Sequence, residues 1–252
     1  MSKRKELEAR RRAEERKRML QIAVTIIVIV LVVVGGALVL STVSGGQQPG
    51  LPPVRAATYT ETPPNAEPRA LAWGPADAPI RVEEFIDYQC PACGLQARNF
   101  EPGIIAAFAA SGKVRYEVKF LPFLEDRVGG RESRDAAQAV LCAAEQDRGW
   151  QMHYTIFANQ PPSGAENVGN YSKARLKEMA ATISGLDTNA FAACLDSNRY
   201  EQQVLQQRRE AEQRGVDSTP TFIINGQRFP GARSADDLRQ IFAQVAPQVV
   251  IP

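Results

Sequence analysis

One histidine and four cysteines in 252 residues leave little material for a metal centre. A structural zinc site needs four Cys or His ligands. Here Cys90 and Cys93 form a single C-x-x-C pair, Cys142 and Cys194 stand alone, and the one histidine is His153. No second pair or histidine cluster completes a zinc set, so no metal site is expected. A Gly-rich nucleotide fingerprint is also missing, and no cofactor is expected. No internal repeat is evident.

Charge is absent from residues 20–40, where Gln21 and Thr25 are the clearly polar side chains. As a helix rising 1.5 Å per residue this run is roughly 30 Å long, enough to span a bilayer. Residues 1–18 carry nine Lys or Arg against four Glu. That excess of positive charge before the span predicts a cytoplasmic N-terminus, a transmembrane anchor at 19–40 and everything from 41 onward outside. A cleaved signal peptide competes with this reading, but its apolar region is shorter, about 7 to 15 residues, and no convincing A-x-A-like site follows. The acidic residues Glu6, Glu8, Glu14 and Glu15 interrupt the basic prefix at helical spacings, which favours a juxtamembrane helix on anionic lipid over a nucleic-acid contact. Beyond the prefix 21 basic and 24 acidic residues remain, a balance that asks for no nucleic acid. Residues 41–68 are rich in Pro and Gly and read as a flexible linker. The remaining 69–252 are long enough for one domain with its own core.

Within that domain the local patterns give an α/β order. An apolar run, Ile80–Ile86, reads as a buried strand; 91–110 reads as a helix kinked at Pro102-Gly103, and 113–121 as a second strand. Helical patterns follow at 133–147, 151–158, 173–184 and 200–215. Asn225-Gly226 then joins two short strands in a hairpin, and a last helix covers 234–245. Trp73, Phe85, Phe120, Phe123 and Phe222 are expected in the core or lining a groove, and His153 as a packed or capping residue.

The segment Tyr88-Gln89-Cys90-Pro91-Ala92-Cys93-Gly94 lies where the first strand meets the first helix. Cysteines at i and i+3 face each other across one helical turn and can close a small disulfide ring. Pro91 suits the first helical position, which leaves Cys90 at the N-cap, where unbonded N–H groups and the helix dipole favour a thiolate. Cys90 is the expected nucleophile and Cys93 the resolving thiol. A permanent staple is the competing reading, yet so short a loop gains little entropic stabilisation. Outside the cytoplasm two further cysteines pair more often than not, so Cys142 and Cys194 are expected to bridge and hold the helical block; a second redox pair feeding Cys90 and Cys93 is the alternative.

The stretch from Glu84 to Cys93, together with Gly215-Val216-Asp217-Ser218-Thr219-Pro220-Thr221-Phe222, resembles the thioredoxin superfamily and, more narrowly, the DsbA-like thiol-disulfide oxidoreductases over residues 70–247. The resemblance implies a thioredoxin-like fold with an inserted helical block at about 125–215, and an enzyme of thiol-disulfide exchange. It implies that Thr219-Pro220 is a cis-proline loop whose Thr219 backbone pairs with an extended substrate peptide, beside Pro91 and Ala92 of the motif. The Pro91-Ala92 dipeptide departs from the Pro-His of the best-known oxidants. Glu84 stands six residues before the first motif cysteine, where such proteins often have an acid. In a strand it shares a face with Val82 and Ile86, so burial should raise its pKa and equip it to exchange a proton with Cys93. The implied partners are reduced or unfolded exported proteins and a quinone-linked membrane oxidase of the DsbB or vitamin K epoxide reductase type, acting on a monomer. A reductase or isomerase of the same fold and a non-catalytic, tethered peptide-binding module are the competing functions.

Overall fold

The computed structural model describes residues 51–251. The expected basic prefix and the apolar run at 20–40 lie outside the described residues. Among those described, no helix is long and apolar enough to cross a membrane.

A mixed five-stranded sheet organises the domain, in the order β1-β3-β2-β4-β5. Strand β1 is Ala72–Trp73, β2 is Ile80–Ile86, β3 is Val114–Phe120, β4 is Thr221–Ile224 and β5 is Gln227–Pro230. Strands β2 and β3 are parallel, with Val82 opposite Tyr116 and Glu84 opposite Val118. The other pairs are antiparallel. Alternation along β2 sends Ile80, Val82 and Ile86 into the main core, while Phe85 turns to a smaller cluster with Leu121, Ala211, Val216 and Ile223. Asn225 and Gly226 both have positive φ, 47° and 85°, as the tight turn between β4 and β5 requires. Pro230, which has no N–H to donate, sits at the end of the edge strand β5.

Between β2 and β3 the chain runs through α1 (Pro91–Leu95), a π-helical turn (Gln96–Phe100) and α2 (Glu101–Phe108). The expected break at Pro102-Gly103 thus falls one turn earlier. Pro102 offers no N–H to the carbonyls of the preceding turn, so the irregularity appears there, and Pro102 itself opens α2 without loss.

The helical insertion consists of α3 (Glu125–Val128), α4 (Glu132–Ala144), α5 (Gly149–Ala158), α6 (Lys173–Ala180), α7 (Thr188–Asp196) and α8 (Glu201–Gln213), and α9 (Ala235–Val245) closes the fold. Helix α9 begins with a reciprocal capping box between Ser234 and Asp237. Helix α7 lies between the helical segments expected at 173–184 and 200–215. Its start is fixed by Asp187, whose carboxylate accepts from the N–H groups of Asn189 and Ala190. Helix α6 ends at Ala180 rather than 184, short of Gly185 with φ 73°. Strand β1 was not expected; two residues are too few for a periodic signal, and the strand is fixed by Trp73 stacking on Tyr116, ring centroids 5.0 Å apart.

Residues 51–68, within the expected linker, have almost no regular secondary structure, yet Val54, Ala57 and Tyr59 pack against the core. Asn159 holds the backbone of Arg55 from both sides, accepting from its N–H at 2.8 Å and donating to its carbonyl at 2.7 Å. Tyr59 meets Tyr154 edge-on, 4.8 Å between centroids.

Cys142 of α4 and Cys194 of α7 form a disulfide with a Cα separation of 5.8 Å, and neither residue is exposed. The bridge closes a loop over a sequence separation of 52 residues, which on the chain-entropy account stabilises by about 4 kcal/mol. Replacing both cysteines by Ala should lower the urea midpoint accordingly. With Cys90 and Cys93 both replaced by Ser, a reductant should bring the chain that keeps the bridge down to the bridgeless variant's midpoint and leave that variant unchanged; an insensitive bridged chain would show that the bridge does not hold the block.

Candidate active site

Strand β2 delivers Asp87-Tyr88-Gln89 into a turn closed by the Cys90 N–H on the Asp87 carbonyl, 3.0 Å. The Asp87 carboxylate accepts from the N–H groups of Gln89 (2.8 Å) and Leu124 (2.9 Å), joining the turn to the chain after β3. Burial pushes Asp87 up to about 6 against these bonds. Cys90 is the N-cap of α1 with extended backbone, φ −71° and ψ 119°, and Pro91 is the first helical residue.

Cys90 and Cys93 are free thiols with unlike surroundings. The Cys90 Sγ lies 3.3 Å from the carbonyl oxygen of Thr219, to which the thiol donates, and the Thr219-Pro220 bond is cis. Once ionised, Cys90 accepts a bond from the Cys93 thiol. This is the largest influence and, against the opposing effect of burial, it brings Cys90 down to about 6. Thr219 and the N–H groups of Cys93 and Ala92 assist; the Thr219 hydroxyl is buried and has no hydrogen-bond partner among the described residues. Cys93 moves the opposite way. Burial, the bond it gives to Cys90, and the charges of Cys90 and Glu84 push it well up. The arrangement suits an exchange in which Cys90 attacks or is attacked and Cys93 leaves or resolves.

Glu84 is 2% exposed and accepts a 2.5 Å hydrogen bond from the Tyr116 hydroxyl. Burial first, and then the charge of Glu101, push it up to about 8, so it holds a proton at neutral pH.

Two glutamines, neither of them a candidate from the sequence, fix the turn. Gln160, at the end of α5, donates to the carbonyls of Tyr88 (3.0 Å) and Cys90 (2.8 Å), while its own Oε1 accepts from Arg98 at 3.2 Å. Gly94 leaves room for it: a Cβ there would lie 1.8 Å from Gln160 Oε1. Gln89 donates to the Ser133 hydroxyl at 2.9 Å and accepts from the Asn167 N–H at 2.6 Å. Gln89 was findable by its place beside the motif. Gln160 carried no signal, because it lies 70 residues from Cys90.

Residues 66–243 match a family model described as thioredoxin. The chain belongs to the thioredoxin family. Over 165 residues it is 32% identical to Na(+)/H(+) antiporter NhaA 3 of Salinispora tropica, a match covering 66% of this chain and 23% of that one. The chain therefore spans about a quarter of the length of such curated relatives. It is 25% identical over 169 residues to disulfide bond formation protein D of Bacillus subtilis, covering 66% of this chain and 72% of the other. Among solved structures it is similar to oxidised BdbD of B. subtilis, with TM-score 0.60, 23% identity and coverage of 73% and 98%. It is also similar to Chlamydia trachomatis DsbA, with TM-score 0.58, 20% identity and coverage of 77% and 99%. Those two likenesses show the fold: a thioredoxin-like α/β domain with a helical insertion.

In this thioredoxin-family domain the candidate residues Cys90, Cys93, Pro91, Ala92, Thr219 and Pro220 come from the motif turn and the loop before β4, which meet at the Cys90 Sγ. Glu84 lies below them in β2, close enough for its charge to act on Cys93. Cys142 and Cys194 are elsewhere, in α4 and α7, and their burial leaves no sulfur accessible. Trp73, Phe85, Phe120 and Phe222 are core residues. Phe123 is half-buried, under the guanidinium of Arg127 at 4.5 Å, and lines a groove of about 380 Å³ with Leu121, Arg208, Val216 and Asp217.

Two outcomes test this geometry. Alkylation of reduced Cys90 should rise with pH through a midpoint near 6; a midpoint near the ordinary thiol value of 9 would contradict the thiolate environment. Gly94→Ala should destabilise by about 1 to 2 kcal/mol, because displacing Gln160 strips donors from two carbonyls, which outweighs the gain of about 1 kcal/mol from Ala in a helix. In a Gln160→Ala background the sign should reverse. A Gly94→Ala effect of the same sign in both backgrounds would break the link.

Proposed function

We propose that this chain is a thiol-disulfide oxidoreductase working outside the cytoplasm, one that donates a Cys90–Cys93 disulfide to thiols of exported proteins. The split between an easily ionised Cys90 and a hard-to-ionise Cys93 carries the reading. A client thiolate attacks Cys90 Sγ, the bond to Cys93 breaks, and its electron pair goes to Cys93 Sγ, which takes a proton from Glu84. A second client thiolate then attacks the client sulfur of the mixed disulfide. Cys90 leaves as a thiolate, the client holds a disulfide, and the enzyme holds two reduced sulfurs. At pH 7 a Cys90 titrating near 6 favours the reduced form about tenfold, or about 30 mV toward oxidant behaviour. The Thr219 backbone beside Cys90 suits main-chain pairing with an extended client.

The charge pattern of residues 1–40 supports a single-pass anchor with the catalytic domain outside. The tether raises the effective concentration for docking with a membrane oxidase of the DsbB or vitamin K epoxide reductase type, which returns the disulfide. Reduced clients and that oxidase are the partners in this reading. Relatives named as antiporters lend nothing to it, since the chain corresponds to about a quarter of their length.

The oxidised full chain in detergent should accelerate oxidative refolding of a reduced client protein. Cys90→Ser should fall to the uncatalysed rate, and Glu84→Gln should slow transfer at pH 7 by about 10²-fold, the lower range for loss of a general acid. No acceleration, with Cys90→Ser equal to wild type, would leave a peptide-binding module; a strongly reducing potential would reassign the chain as a reductase or isomerase.

A further inference from the structure

The segment 51–59 is bonded to the end of α5, one residue from the amide that holds the motif turn. Helix α5 stops at Ala158, and its last carbonyls are met by side chains. Asn159 donates to the Thr155 carbonyl at 2.8 Å, the Tyr171 hydroxyl to that of Ile156 at 3.2 Å, and Arg98 to that of Phe157 at 2.8 Å. Asn170 donates to the carbonyl of Asn159 itself at 2.5 Å. Pro161 and Pro162 come next after Gln160 and bring no N–H with which to continue the helix. The position of Gln160 therefore depends on the cap just before it.

That cap is completed by a distant part of the chain. Asn159 is 6% exposed, and its side chain is fully used: Oδ1 accepts from the Arg55 N–H at 2.8 Å, and Nδ2 donates to the Arg55 carbonyl at 2.7 Å as well as to Thr155. Arg175, also buried, donates to the carbonyl of Pro52, which fixes the segment at a second point. Val54 and Ala57 pack against the core. Beyond them Ala57 and Tyr59 wall a pocket of about 120 Å³ with Ala97 and Arg98 of the π-helical turn. Arg98 is the residue that donates to Gln160 Oε1. The segment thus touches both neighbours of the Gln160 amide, the cap and the guanidinium. Without the Arg55 backbone, Oδ1 and one N–H of the buried Asn159 amide are left unpaired, a loss that frees the cap to reorient.

We propose that Asn159 is a positioning residue and that the segment 51–59 belongs to the active site: bonded to Asn159, it holds the end of α5 where Gln160 reaches the Tyr88 and Cys90 carbonyls. The stretch that leads from the expected anchor thereby sets how Cys90 is presented. This rests on Cys90 as the exchanging thiol, but its test needs no client. Alkylation of Cys90 is followed against pH by mass spectrometry in the reduced full chain in detergent. Arg55→Pro removes the N–H that Asn159 accepts and alters nothing in α5, while Asn159→Ala removes the whole contact. Each should raise the Cys90 midpoint by about half a pH unit or more, a threefold loss of thiolate below the midpoint, because a turn released by Gln160 no longer holds its N–H groups on the sulfur. Gln160→Ala should raise it as much, and in that background Arg55→Pro should add nothing. A merely structural segment would lower the melting temperature and leave the midpoint within about 0.2 of wild type, which would overturn the proposal. So would a further rise on top of Gln160→Ala, or no rise in Gln160→Ala itself. If Asn159→Ala does not fold, Arg55→Pro, at an exposed residue, decides alone. Failure of client oxidation would leave these midpoints where they are, so the two proposals fail separately.

Discussion

Two thiols one helical turn apart at the start of α1 become chemically different because the helix has different environments at its end and inside. Cys90, at the N-cap, meets unbonded backbone N–H groups, the Cys93 thiol and the Thr219 loop, all of which favour negative charge on sulfur. Cys93, one turn in, is enclosed and meets the charges of its neighbours, so it holds its proton. The usefulness of the pair depends on keeping Cys90 at that end. Pro91 at the first helical position, the Asp87–Cys90 turn and the Gln160 amide on the Tyr88 and Cys90 carbonyls all serve this one placement.

The helical insertion is therefore more than a cover on a thioredoxin-like sheet. It supplies Gln160 to the motif turn and, through Ser133 and Asn167, both partners of Gln89. It also supplies the buried His153 to Glu101. The Cys142–Cys194 bridge ties α7 to the buried helix α4, whose first residues include Ser133. Stability of the block and geometry of the motif turn are thus linked through α4.

Burial of acids is the other organising feature. Glu84, Asp87 and Glu101 are each 2% exposed or less within a domain whose remaining interior is largely apolar. Asp87 is satisfied by backbone N–H groups and acts as a fixed staple between β2 and the chain after β3. Glu84 and Glu101 have one strong side-chain partner each, Tyr116 and His153, and the second oxygen of Glu101 has none among the described residues. Buried groups that break the rule of full satisfaction mark chemistry more often than architecture, and Glu84 lies near enough to the less ionisable sulfur for its charge to act there.

The sequence by itself determined what depends on near neighbours along the chain. The i, i+3 cysteines with Pro91 placed both sulfurs at a helix start, the alternation of Ile80–Ile86 turned Glu84 inward, and Asn225-Gly226 formed the hairpin, because each needs only local backbone preferences. Only the tertiary structure decided which distant residues meet. The two-residue strand β1 exists because Trp73 stacks on Tyr116, and the irregularity near Pro102 settled one turn early, bringing Glu101 to His153. Residues 51–68 have a linker's composition and yet lie along α5, since Asn159 bonds the Arg55 backbone and Tyr59 finds Tyr154. Gln160 reaches Cys90 because Gly94 has no side chain to block it. Periodicity is a property of spacing along one element, whereas these contacts depend on how elements pack, and a single sequence carries no spacing that encodes it.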